Sequence, residues 1–283
     1  MDHTSIHPTS ADVAHRVDLF CWQGAPLNND ENHPIQVLVN TGFVVGFCPS
    51  RLQPAWAAYR VAHADRDVDF DRPHLYYADQ RISEAARLSG ETFGRHDNIQ
   101  YHVGHMAPNE AINRQFGRLA QMETFFMSNM SPQRGSLNTG VWLKLENAIL
   151  GIEDTDEKDH VWAVIGPIFT DDPGVIDRDG GKRVPIPDAY YCITIDPFRY
   201  PFDRFNNVHM LCLRIPQDAA GGSSPGDFVT SLDALEAETR LTFFPRWARP
   251  RAAPGERSIV EEVTRPEEHR LLRAIRVGEI LSP

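Results

Sequence analysis

His105, Asn138 and Glu146 are the residues of this 283-residue chain whose types and order allow joint chemistry. A short β-prone run, 101–105, ends in His105. A helix-compatible insert and a second β-prone run, 124–127, follow. A turn at 131–135 then leads to Leu137 and Asn138, where a helix carrying Trp142, Leu145, Glu146 and Ile149 is expected to begin. Strand, strand, helix is an arrangement that sets an imidazole opposite an amide oxygen. Such a pair suits phosphodiester hydrolysis. The ester's negative charge repels nucleophiles, so water must be activated and the developing charge neutralised. A histidine near its ordinary pKa of about 6.5 can take the water's proton at neutral pH, worth about 10²–10⁴-fold in rate. Magnesium takes hard oxygen ligands and keeps several waters, so one asparagine oxygen plus substrate can suffice to hold it.

Helical spacing supports the pairing. Asn138, Trp142 and Leu145 fall on one face, and Glu146 lies two turns beyond Asn138. Asn138 is thus placed to hold a metal while Glu146 takes hydrogen bonds from the metal's waters. His102 and His105 give an H-x-x-H spacing, but residues three apart on a strand point to opposite faces, so a zinc pair is not expected.

Three blocks carry a resemblance: Gly104-His105-Met106-Ala107-Pro108, Ser128-Asn129-Met130-Ser131-Pro132-Gln133, and Leu137-Asn138 followed by Trp142 and Leu145-Glu146. In this order they resemble the core of the DNA/RNA non-specific endonucleases of the ββα-metal (His-Me finger) superfamily. The resemblance implies His105 as general base, Asn138 as Mg2+ ligand (with Mn2+ as a substitute) and Glu146 as supporting carboxylate. Asn129 belongs with this catalytic group, and with Gln133 it occupies a position that shapes the metal loop. Where the family signature reads Asp-Arg-Gly-His, this chain reads His102-Val103-Gly104-His105. The family arginine contacts phosphate, and valine cannot. Arg134 and Arg72 are the leading substitutes, with Arg81 and Arg95 also candidates. Arg72, Arg81, Gln133, Arg114 and His102 make up the expected substrate-binding set, and Arg118 shares a helix face with Arg114.

A formal net charge of −11 argues against a protein that coats nucleic acid, since salt-dependent phosphate binding needs clustered Lys and Arg. An enzyme needs only a local positive field, part of which a bound cation supplies. No apolar run approaches the roughly eighteen residues of a membrane span. The N-terminal stretch lacks the basic start and apolar core of a secretory signal. Cys21, Cys48, Cys192 and Cys212 lie far apart without CxxC pairing, as in a protein of a reducing, cytoplasmic compartment.

The elements that must position the site follow from apolar patterning. Runs at 36–39, 42–48, 55–62, 161–169, 190–195 and 208–215 read as strands, the second and third as a hairpin. Helices are expected at 109–122 and 233–239, the latter capped by Ser231. The acidic runs at 65–71 and 153–157 read as solvated loops. An α+β fold follows: a central, mostly antiparallel sheet of about six strands flanked by helices, with the ββα-metal element along one side. Three regions are expected: a flexible tail at 1–20, a nuclease domain at 21–247, and a basic C-terminal extension at 248–283 containing a helix.

The implied activity is metal-dependent, largely sequence-independent cleavage of DNA, RNA or both. A homodimer is the expected assembly, with an inhibitor or regulatory complex to restrain a toxic activity, and no membrane partner. The rival is a catalytically weak binding or regulatory protein that keeps the fold. A phosphodiesterase of small or lipid-linked phosphates shares only the bond chemistry.

Overall fold

Alternation along the strand Gln53–Ala62 sets the layering of the molecule. Ala57, Tyr59 and Val61 pack into one hydrophobic core, while Trp56 and Ala58 pack into another on the opposite face. Successive side chains of a strand point to opposite faces, so a strand covered on both sides must be apolar throughout. The computed structural model describes residues 5–6, 11–63, 70–151, 160–196 and 209–247.

The central sheet has eight strands: β1 (Ser5–Ile6), β2 (Ile35–Val39), β3 (Phe43–Cys48), β4 (Gln53–Ala62), β8 (His160–Ile168), β9 (Ala189–Asp196), β10 (His209–Pro216) and β11 (Val229–Thr230), in that spatial order. Every pairing is antiparallel except β1 with β2. The six longer strands are those expected from the sequence. The two-residue strands at the edges make up the rest.

A separate three-stranded sheet, β5 (Gly94–His96), β6 (Ile99–His105) and β7 (Met130–Arg134), builds the finger. Helices α2 (Asn109–Phe116) and α3 (Arg118–Thr124) lie between β6 and β7, and α4 (Trp142–Leu150) closes the unit. Trp142, Leu145 and Ile149 are buried together, and the Trp142 ring meets Tyr190 of β9 edge-on at 5.5 Å. Burying each such side chain stabilises by roughly 1.5–3 kcal/mol, which presses the finger helix against the central sheet. On the opposite face, α1 (Ala11–Phe20) and α5 (Leu232–Thr239) cover the second core. Ser231 caps α5, its Oγ accepting the Ala234 N–H at 3.1 Å.

Several expectations are corrected. The second finger strand is Met130–Arg134, six residues beyond the expected run; residues 118–124 are helical instead, and the anticipated turn at 131–135 is mostly strand. Pro132 suggested a turn, but β7 is an edge strand, where a missing N–H leaves no ladder bond unmade. The helix expected over 109–122 breaks in two at Gly117, whose φ of 79° a helix cannot contain. Residues 11–20, expected within a mobile tail, form α1, with Phe20 buried against Phe116 at 5.3 Å. Residues 248–283 and 153–157, and most of the 65–71 run, lie outside the described residues. Among the described residues no helix is long and apolar enough to cross a membrane.

Candidate active site

His105 ends β6, and a bracket around Asn129 fixes the chain as it leaves. The Met106 N–H donates to the Asn129 carbonyl (2.9 Å) and the Ala107 N–H to Asn129 Oδ1 (2.8 Å). Asn129 Nδ2 donates back to the carbonyls of Ala107 (2.9 Å) and Thr124 (3.0 Å). Asn129 is wholly buried and spends its amide on these bonds, so it aims His105 rather than facing a ligand. The imidazole meets Phe125 edge-on at 4.9 Å, with Tyr76 beyond it at 6.3 Å. It is only 7% exposed, and its Nε2 has no hydrogen-bond partner. Burial, and then the Arg72 charge, lower its pKa to about 3. The ring is therefore neutral at physiological pH, with a lone pair to offer.

His105, Asn138, Glu146 and Arg72 line one cavity of about 330 Å³. Asn138 stands in an irregular helical turn, Leu137–Val141, anchored by buried Leu137 and Val141. Its Nδ2 lies 3.3 Å from His102 Nδ1, which accepts from it in the tautomer protonated at Nε2. Glu146 projects from α4, and its carboxyl pKa is raised to about 7. Burial is the main cause, opposed by the Arg72 charge and the Trp142 indole. Among the described residues no group of three His, Cys, Asp or Glu side chains is arranged to hold a metal. The oxygen donors around this cavity are instead the amides of Asn109, Asn138 and Asn147, the Thr139 hydroxyl and the carboxylates of Glu110 and Glu146. That set fits a hard, heavily hydrated cation such as Mg2+ and not a thiolate or imidazole cage.

The arginines separate by position. Arg72 lines the cavity, its guanidinium 5.5 Å from the Phe125 ring centre. Arg81 lies away from the cavity, bound to both carboxylate oxygens of Asp79 (2.9 and 2.7 Å), the Val39 carbonyl and Asn40 Oδ1. Arg114 pairs with Glu110 at 2.8 Å, and Glu110 stands at the cavity wall. Arg118 is bound to the Asp71 carbonyl and Gln121. Arg95 reaches Gln100 at 3.3 Å. Arg134 does not line the cavity, and its Nε is buried without a partner. Gln133 is also buried and unpartnered, pressed over Gly104 so closely that a Cβ there would lie 2.1 Å from Gln133 Oε1. His102 lies behind Asn138, outside the cavity lining.

Two polar cavity residues, Asn109 and Asn147, were not singled out from the sequence, and Val103 was noted there only as a departure from the signature. Val103 lines the wall in place of a guanidinium, and Asn109 and Asn147 add polar groups. Asn109 is 8% exposed with an unpartnered Oδ1. Its place directly after the Gly-His-Met-Ala-Pro block, at the first position of a helix, was the available clue.

Comparison with known proteins gives a consistent result. The sequence profile of the DNA/RNA non-specific endonucleases matches residues 25–249. The mitochondrial nuclease EXOG of Mus musculus is 28% identical over 225 residues, 75% of this chain and 57% of that protein. The nuclease of Serratia marcescens is 23% identical over 239 residues, 82% of each. The chain thus spans less than three-fifths of the EXOG protein it matches, but most of the bacterial one. A chain in the crystal structure of the EndoG/EndoGI complex shares the fold with a TM-score of 0.63 at 20% identity, covering 84% of this chain and 94% of that one.

Proposed function

The chain belongs to the DNA/RNA non-specific endonuclease family, and from that premise we propose that it hydrolyses phosphodiester bonds of DNA, RNA or both, largely without regard to sequence, with the help of Mg2+. The shared cavity of His105, Asn138, Glu146 and Arg72 carries this reading. Asn138 would hold the cation through its side-chain oxygen, and Glu146 would accept hydrogen bonds from the cation's waters. When bound, the cation supplies neutralising charge to the phosphate and its leaving oxygen.

His105, neutral and at the cavity wall, accepts the proton of the attacking water on its imidazole. A phosphodiester beside the ring adds negative charge that opposes Arg72, so the imidazole pKa moves upward as substrate binds. Arg72 pairs with phosphate, the role that Val103 cannot fill. Phe125 and Tyr76 keep the imidazole out of bulk water and limit its rotation. Asn129 and Gln133 shape the loop beneath.

Expected partners are nucleic acid, a second copy of the chain, and an inhibitor or regulatory assembly. The solved EndoG/EndoGI complex is described as showing EndoG inhibition, which supports the last of these. The four cysteines are buried and none forms a disulfide, in keeping with a reducing, cytoplasmic compartment; the matched EXOG proteins are named as mitochondrial.

The test is cleavage of plasmid DNA and of single-stranded RNA by pure protein in Mg2+, Mn2+ or EDTA. Product should form with either cation and not in EDTA. His105→Ala and Asn138→Ala should each lose about 10²-fold or more. Undiminished cutting by either variant would refute its assigned role. The apolar wall at Val103 favours a second reading, a weak enzyme or binding protein. Retention of DNA without a product ladder in either metal would establish that one.

A further inference from the structure

We propose that His102 is a positioning residue that holds the Asn138 amide with its oxygen directed to the cation. This rests on the metal-dependent reading above. The contact itself is explicit: Asn138 Nδ2 lies 3.3 Å from His102 Nδ1. An amide has a donor end and an acceptor end. With the donor end bound to a ring nitrogen, the oxygen is left for the cavity that Asn138 lines. The contact requires the His102 tautomer with its proton on Nε2; turning the amide over would then set oxygen against the Nδ1 lone pair and present two N–H donors to a cation.

The ring is well placed to hold that geometry. His102 stands opposite Gln133 in the β6–β7 ladder, so its backbone is fixed by the finger sheet. Its far edge rests against Gly135, where a Cβ would lie 3.0 Å from Nε2. Gly135 opens the turn that delivers Asn138, and Thr139 Oγ1 donates to the Gly135 carbonyl at 2.8 Å. His102 thus ties the strand carrying the base to the turn carrying the amide. Alternation along β6 points it away from the face His105 uses, so it does not compete for the water's proton. A residue supporting a metal ligand in this way typically changes metal affinity by about 10- to 100-fold when removed.

The experiment compares the full chain with His102→Phe, which keeps a ring and removes the acceptor, and His102→Gln, which restores an acceptor. Mn2+ binding is followed by electron paramagnetic resonance. The Asn138 side-chain amide is followed by 15N NMR in metal-free protein. His102→Phe should weaken Mn2+ binding about 10- to 100-fold and shift the Asn138 amide signals, with an unchanged melting temperature. His102→Gln should recover most of the affinity. Should the Phe variant fail to fold, Gly135→Ala, which crowds the ring from behind, should weaken Mn2+ binding in the same direction. Equal affinity in the parent and Phe chains, or equal losses in the Phe and Gln chains, would overturn the proposal. A parent chain that binds no Mn2+ would overturn the metal reading, and this inference with it.

Discussion

The guanidinium of Arg72 acts on the two titrating groups of the cleft at once, favouring the neutral form of His105 and the ionised form of Glu146. One cation thereby biases the proposed base toward readiness and the supporting carboxylate toward charge.

Arg72→Gln should release both groups. The His105 imidazole should titrate above about 3, only part of the way to its ordinary value because burial is the larger cause. The Glu146 carboxyl should move further above about 7. Both movements are upward, since the positive charge lowers each pKa, and NMR titration reads them directly. Cleavage should fall on the order of 10²-fold, as when one electrostatic contact to the transition state is lost.

Glu146→Gln should trade activity for stability. A carboxyl whose folded pKa is raised to about 7 opposes folding as pH rises from its unfolded value through 7, because only the unfolded chain ionises freely. The variant should therefore be more stable than the parent at pH 8, by on the order of 1–3 kcal/mol, and the advantage should fade toward pH 5. Denaturant unfolding at the two pH values measures this, and cleavage should drop in parallel.

Asn129→Ala should damage both fold and chemistry without touching substrate. It strands the Ala107 N–H and carbonyl, which are buried, at a combined cost on the order of 3 kcal/mol. His105 then loses the support behind it. A lower melting temperature together with cleavage reduced beyond the unfolded fraction is the expected pattern.

Asp79 supplies a stability test remote from the chemistry. Burial raises its pKa, but hydrogen bonds from Arg81 and Ser128 and the Arg81 charge more than reverse this, leaving it below the ordinary value. Its stabilisation is thus present above the unfolded pKa and lost as pH falls through the folded one. Asp79→Ala should cost about 1–3 kcal/mol at pH 7 and progressively less in strong acid. Cleavage by the folded fraction should stay near the parent's, because neither Asp79 nor Arg81 lines the cavity.

The pieces of the site that were legible in the sequence were those fixed by local spacing. Trp142, Leu145 and Glu146 keep helical intervals from Asn138 wherever the helix packs, and apolar runs such as 42–48 must be strands when both faces are covered. Pro132 misled because its tolerance depends on an edge position that only tertiary pairing creates. Arg72 and Arg81 are nine residues apart and chemically identical. What separates them is Asp79, which takes up one, and Phe125, which supports the other beside the cavity. Val103 was visible as a departure from the signature. The contact between His102 and Asn138 was not, because it joins a strand to a turn across thirty-six residues.

The two sheets are also joined chemically. Tyr190 donates to the Pro132 carbonyl at 2.8 Å, Gln217 donates to the same oxygen at 2.9 Å, and Ser131 donates to Gln53 at 2.6 Å. These rivets lie beneath the finger, whereas Arg72 reaches the cleft from the loop outside it. That loop is stitched to the finger in turn: the Tyr77 N–H donates to the Phe125 carbonyl at 2.9 Å, the Met127 N–H donates to the Tyr77 carbonyl at 2.8 Å, and Tyr76 stands beside the His105 ring. The distance between base and amide is thus set from the sheet below. Residues 70–77 form a strap that carries both the Arg72 guanidinium and one wall of the imidazole's housing, so a change in that strap alters charge and packing at the base together.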